Sequence, residues 1–313
     1  MVRKFTPFFL LFLVISLLTP SCKKFEGGQT VPSYIRIDSL GLSCDYYTYG
    51  ANTCDFTDVW VYVDDNAVGC FELPALVPVL KQGKHRVSIY PGIIRDGVKN
   101  YRPKYPFVAA AEYDDIVFEP GGELSLNPVF QYLPDGDNLH VRWVEDFDRG
   151  TVKMRPYEDT DDAVPILRVG GELAWHDPEG VHSTYSGKVT LRSDSLQFCI
   201  VDSEMFTDLP TDGAGACMLE MDYKCSDTIS VGLVYNDYTP TQLTILRLRP
   251  TCASGEEPVE WKKIYINLGP YLVDYEDSEY FQLFISSWYN RNGGTQYFYF
   301  DNLKLLYLDT YNW

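Results

Sequence analysis

Along most of this chain apolar and polar residues alternate with the two-residue period of a strand rather than the 3.6-residue period of a helix. In residues 217–225, CMLEMDYKC, the positions Cys217, Leu219, Met221, Tyr223 and Cys225 share one face. Tyr34-Ile35-Arg36-Ile37-Asp38 starts a first series of such segments. Val59 to Val63 then runs into the turn residues Asp64-Asp65-Asn66, and Ala67 to Phe71 returns, which predicts a hairpin. Val77 to Leu80, Arg86 to Tyr90 and Leu124 to Tyr132 complete the series, with residues 95–123 expected to be loop-rich because Pro103, Pro106 and Pro120 interrupt them. The turn-rich stretch Leu133-Pro134-Asp135-Gly136-Asp137-Asn138 marks a boundary. Beyond it, strands are predicted at 141–147, 165–169, 187–191, 196–202, 216–225, 228–236, 242–249, 259–268, 280–288 and 296–308. The pattern therefore predicts an all-β chain of two domains, over 34–132 and 141–309, joined by a linker at 133–140 and closed by a tail at 310–313.

Composition agrees, since 24 Tyr, 17 Phe and 6 Trp favour β-structure. One stretch breaks the alternation. Phe5 to Cys22 is apolar, follows the basic pair Arg3-Lys4, is too short for an ordinary membrane span and ends in small residues and a cysteine, the layout of an export leader. Ser21-Cys22 resembles the cleavage box of bacterial lipoproteins. The resemblance implies removal of residues 1–21 and anchoring of the chain in an outer membrane through an acylated Cys22; the alternative is a secreted protein without lipid. Residues 22–33, with Gly27, Gly28 and Pro32, suit a tether. Within it, Lys24-Phe25-Glu26 resembles the charged signals that bring Bacteroidota lipoproteins to the cell exterior. A net charge of −18 repels phosphate backbones and argues against nucleic acid as a partner.

Seven further cysteines leave at least one free thiol in a lipidated monomer. Cys217 and Cys225 cannot pair, because eight strand residues hold them about 26 Å apart. They read as small core residues.

The segment from Val59 to Gly92 resembles the small β-repeats typified by the PEGA domain, carried by Asp64-Asp65-Asn66, Gly69, Pro74, Gly83 and His85. This implies a small immunoglobulin-like β-domain serving as spacer or adhesive module. EDFD at 145–148, EWKKIYINLG at 260–269 and YFYFDNLKLLYL at 297–308 resemble carbohydrate-binding-module and galactose-binding-like domains, which implies a jelly-roll β-sandwich for the second domain.

Asp301 shares parity with Leu303 and Leu305, so on an unbroken strand its carboxylate points into the sandwich and needs a partner. The resemblance implies a structural calcium held by Asp301 with Glu145 or Asp148; a hydrogen bond to backbone or tyrosine is the alternative. Aromatic faces stack on the C–H face of a sugar ring, and Trp288, Tyr289, Trp175 and Tyr235 are candidates, with Tyr185 beside them and Arg247 as a charged donor. Each could equally be core. Trp288 stands out because it precedes the polar loop Asn290 to Gly294. Glu220 and Asp222 lie on one strand face, but the second acid that a glycosidase of related fold would need is replaced by Lys224 and Cys225, so the pair reads as solvated strand polarity. His85 reads as a strand-edge hydrogen-bonding group. His176 and His182 lack further ligands nearby, and the acidic run at 158–162 reads as a solvated loop. No nucleophile elbow, phosphate loop or dinucleotide fingerprint is present. The expectation is a non-enzymatic, lipid-anchored surface protein that binds glycan through its C-terminal sandwich, or alternatively an accessory subunit docked on an outer-membrane protein complex.

Overall fold

The computed structural model describes residues 31–158, 163–176, 183–253, 255–292 and 294–311. The leader and Cys22 lie outside the described residues.

The first domain comprises β1 (Ser33–Ile37), β2 (Gly41–Ser43), the single turn α1 (Tyr46–Tyr49), β3 (Asp58–Val63), β4 (Asn66–Glu72), β5 (Ala75–Val79), β6 (Gly83–Gly92), β7 (Ala111–Phe118), β8 (Glu123–Ser125) and β9 (Val129–Gln131). The expected hairpin joins β3 to β4. Asp64 and Asp65 take φ of 50° and 62°, the left-handed pair whose twist matches the flanking strands. Sheets ordered β4-β3-β6-β7 and β5-β1-β8 carry the alternating faces, and β2 pairs with β9 in parallel. Ile35, Ile37, Val59, Val61, Val77 and Val87 meet between them with at most 1% exposure.

Two expectations change here. The region read as loop-rich contains β7, paired with β6, because its prolines fall on either side of AEYDDIVF and leave eight residues free to join the ladder. The expected strand 124–132 is two strands, since Pro128 supplies no N–H and Asn127 turns aside to accept from the backbone of Asp38 and Ser39. Tyr105 and Phe107 are buried, and so pin their loop to the core rather than offering a contact surface.

The second domain comprises β10 (Leu139–Glu145), β11 (Met154–Pro156), β12 (Leu167–Gly170), β13 (Tyr185–Leu191), β14 (Gln197–Asp202), β15 (Ala216–Cys225), β16 (Ile229–Asp237), β17 (Thr239–Leu248), β18 (Lys262–Asn267), the short helix α2 (Gly269–Asp274), β19 (Phe281–Trp288) and β20 (Gln296–Leu308). Every strand expected beyond residue 140 is present; only the three-residue β11 was not foreseen. A six-stranded sheet, β12-β13-β20-β15-β18 with β10 also on β20, faces a five-stranded sheet, β11-β14-β19-β16-β17. Cys217, Leu219, Met221, Tyr223 and Cys225 enter the core between them, as their alternation requires. The chain is all-β, two sandwiches in series, and β10 starts inside the stretch expected to be linker.

The domains are not beads on a string. Ala216, Met218, Tyr265, Leu306 and Leu308, on the outer face of the six-stranded sheet, belong to the core of the first domain. That face is therefore an interface, and the first domain is fixed to it rather than acting as a free spacer.

Candidate ligand-binding clefts

The outer face of the five-stranded sheet is the open one. On β19, Phe281, Leu283 and Ile285 point into the sandwich, so Gln282, Phe284, Ser286 and Trp288 point out. Trp288 is 71% exposed. It lines a cleft of about 470 Å³ with Tyr157, Glu158, Asp194, Gln197 and Gln242 among its neighbours.

The shape of the cleft comes from β17. In a flat sheet, β17 and β14 would stand about 14 Å apart, three strand spacings. Yet Gln242 Nε2 on β17 lies 3.6 Å from Cys199 Sγ on β14. The hairpin therefore curls across the sheet. It does so at a bulge between Val231 and Gly232, where a Cβ on Gly232 would sit 2.0 Å from the Leu243 carbonyl oxygen. The curl also explains why Val201, Val234 and Phe284 are buried on a face turned away from the sandwich core.

The remaining aromatic candidates do not join Trp288. Tyr289, one residue on and hence on the opposite face, packs against the sandwich core. Tyr235 is likewise partly buried there, its ring 4.1 Å from that of Tyr275. Arg247 is exposed and pairs with Ser230, which pairs with Ser286, so it shares the Trp288 face at the far edge. Tyr185 is exposed on β13 beneath the guanidinium of Arg168. Trp175 lies in the loop after β12, on the side of the other sheet, its backbone N–H bonded to Ser186 Oγ on β13 at 2.8 Å. Tyr157 and Gln242 were missed by sequence reasoning: Gln242 is brought to the cleft only by the curl of β17.

Asp301 does not point into the sandwich. Phe298 and Phe300 are core residues, but so are Leu303, Leu305 and Tyr307, so the parity of β20 changes between them. The break is a bulge at Asn302, φ 48°, where the register with β15 shifts. Asp301 is thereby on the outer face, fully buried, accepting from Ser186 Oγ and the Asn302 N–H, and burial holds its carboxyl well above the usual range. Glu145 accepts from the backbone of Phe147 and Lys153, and Asp148 from Thr184. Each carboxylate has donors of its own, and among the described residues no group of three or more His, Cys, Asp or Glu side chains is arranged to hold a metal.

Glu220 and Asp222 are not solvated. They are 1% and 3% exposed, under the first domain. Tyr105 donates to Glu220, Thr53 Oγ1 and Asn302 Nδ2 donate to Asp222 Oδ2 at 2.8 and 2.9 Å, and Lys263 Nζ stands 3.3 Å from Glu220 and 3.8 Å from Asp222. His85 holds Asp64 Oδ2 at 2.7 Å through Nδ1 and the Gln82 carbonyl at 2.9 Å through Nε2, a bridge from the start of β6 to the β3–β4 turn. His176 is exposed, while His182 and residues 159–162 of the acidic run lie outside the described residues.

No protein-family model matches the chain, and no curated protein matches it. Among solved structures, a carbohydrate-binding module studied for promiscuous specificity within the β-sandwich superfamily is similar at 13% identity, covering 79% of this chain and 84% of its own, with a TM-score of 0.37. A cyclase from Fischerella sp. TAU aligns at 10% identity over 57% of this chain and 98% of its own, with a TM-score of 0.35. A family 29 carbohydrate-binding module aligns at 12% identity over 51% and 88%, with a TM-score of 0.27. All are remote in both identity and superposition.

Proposed function

We propose that this protein is a non-enzymatic, glycan-binding lipoprotein, anchored in an outer membrane by an acylated Cys22, facing the cell exterior and holding neutral sugar chains at Trp288. The observation that carries the reading is the position of that indole: 71% exposed, on the face of a sheet, at a cleft with polar side chains. An exposed tryptophan ring presents a flat apolar surface that a pyranose can cover, while Gln197, Gln242, Glu158 and Asp194 can bond its hydroxyls. Two acids in the cleft and a chain charge of −18 favour neutral over anionic sugars. The non-catalytic reading is supported by Glu220 and Asp222, which are tied up by a tyrosine, a threonine, an asparagine and a lysine. The leader and Ser21-Cys22 support the anchor. The accessory-subunit reading is favoured by Tyr238, 96% exposed at the tip of the β16–β17 hairpin.

The test is retention of the mature protein on a set of neutral polysaccharides, with Trp288→Ala beside the wild type. Retention that the substitution abolishes supports the reading. If no polysaccharide retains the protein and a membrane protein copurifies in a manner that depends on Tyr238, the accessory role replaces it. Fractionation of Cys22→Ser should move the protein from membrane to soluble fractions; a variant that stays in the membrane would exclude the lipid anchor.

A further inference from the structure

A larger cleft, of about 660 Å³, opens along the seam between the two domains. Its size falls within the roughly 300–1,000 Å³ of ordinary small-ligand sites. Neither domain forms it alone. The first contributes Asn52, Thr53 and Asp55; the second contributes Trp175, Trp261, Asp222 and Lys263.

The floor is a polar row crossing the six-stranded sheet, in which Asp301 on β20 pairs with Asp222 on β15 and Asp222 with Lys263 on β18. Lys263 has a side chain only 4% exposed, and its ammonium makes ion-pair contacts with Glu220 and Asp222 but no well-aligned hydrogen bond to a described residue. The ammonium itself is buried beneath the cleft, so its part there is to hold the two carboxylates in place. Asp222 Oδ2 is taken by Thr53 and Asn302, whereas Oδ1 lies 3.8 Å from Lys263 Nζ. Asp55 adds an exposed carboxylate at the rim.

The aromatic residues of the cleft are held from behind. Ser186 Oγ, which donates to the buried Asp301, also accepts from the backbone N–H of Trp175, and Ser183 Oγ donates to the Trp175 carbonyl at 3.3 Å. Asp301 therefore acts, through Ser186, on the backbone that carries Trp175. Trp261 has Lys224 Nζ 4.8 Å from its ring and meets Tyr299 edge-on at 6.4 Å.

We infer that this seam is a second sugar-binding site, selective for a neutral hexose or pentose unit, with Trp175 and Trp261 offering ring faces and Asp222 and Asp55 bonding hydroxyls over the buried Lys263. Lys263 is already balanced by two buried acids, so the site offers no surplus positive charge to an anionic sugar. The ligand class rests on the glycan reading of the Trp288 cleft; the location does not.

The inference is tested on an array of neutral hexose and pentose oligosaccharides, followed by calorimetric titration of the array's best binder. Wild type, Trp288→Ala, Trp261→Ala and the double variant are compared, with unfolding midpoints measured to confirm folding. The expected result is binding in Trp288→Ala that the added Trp261→Ala weakens at least tenfold. If Trp288→Ala alone removes all binding, the seam site is overturned and the Trp288 reading stands. If Trp261→Ala removes all binding and Trp288→Ala none, the seam stands and the Trp288 site falls. Absence of binding to every sugar on the array overturns both.

Discussion

Lys304 Nζ, without solvent exposure, donates a 2.6 Å hydrogen bond to the carbonyl of Ala51, a residue 253 positions earlier. The bond ties the last strand of the second domain to a loop of the first. Tyr132 Oη lies 3.3 Å from the same ammonium, and burial, against the pull of Glu220, holds the lysine below its ordinary pKa. A charge in this position is tolerated only because its partners are fixed, so the seam is costly to disturb.

Lys304→Met should therefore destabilise the whole chain by about 1–3 kcal/mol, the usual cost of leaving a buried acceptor, here the Ala51 carbonyl, without its donor. Urea unfolding followed by tryptophan fluorescence is the measurement. Wild type is expected to unfold in one transition, and the variant at a lower midpoint. Two well-separated transitions in the wild type would contradict the shared core.

Asp202 gives the pH dependence a definite sign. It is fully buried, its Oδ2 has no hydrogen-bond partner among the described residues, and burial pushes its carboxyl up to about 7. In the unfolded chain an aspartate titrates near about 3.9. Between those values the folded protein keeps a proton that the unfolded chain has lost, so this group's contribution to stability falls as pH rises from about 4 and levels off above about 7. The slope is at most about 1.4 kcal/mol per pH unit. Asp202→Asn should remove it while keeping an acceptor for the Glu204 N–H. Melting midpoints at pH 4.5 and 8 should draw closer in the variant, with the gain at pH 8.

Gly232→Ala places a methyl group against the Leu243 carbonyl and the Phe284 ring. The clash should cost about 2 kcal/mol and lift β17 off the sheet. A second readout separates this from general destabilisation: Gln242 would leave Cys199, whose thiol should then react faster with a disulfide reagent under native conditions.

Cys217 and Cys225 are fully buried, and burial pushes both thiols up, Cys225 to about 12. Neither should be alkylated by iodoacetamide at pH 8 in the folded protein, and both should be alkylated in denaturant. Labelling in the native state would mean that the core between the sheets opens readily.

Period-two alternation alone determined the β-architecture, the positions of the second domain's main strands and the inward face of 217–225, because a strand's side-chain direction is a local property. It misled where locality failed. One extra residue at Asn302 reversed the parity of β20 and put Asp301 on the opposite face from the one its neighbours implied. Glu220 and Asp222 looked solvated because nothing nearby in the sequence reveals that residues from 51–132 cover them. Trp288 was legible as the end of a strand before a polar loop, whereas its cleft depends on a hairpin curling across two intervening strands. The seam cleft was not legible at all: its residues come from segments as far apart as Asn52 and Lys263, and only the packing of one sandwich on the other brings them together.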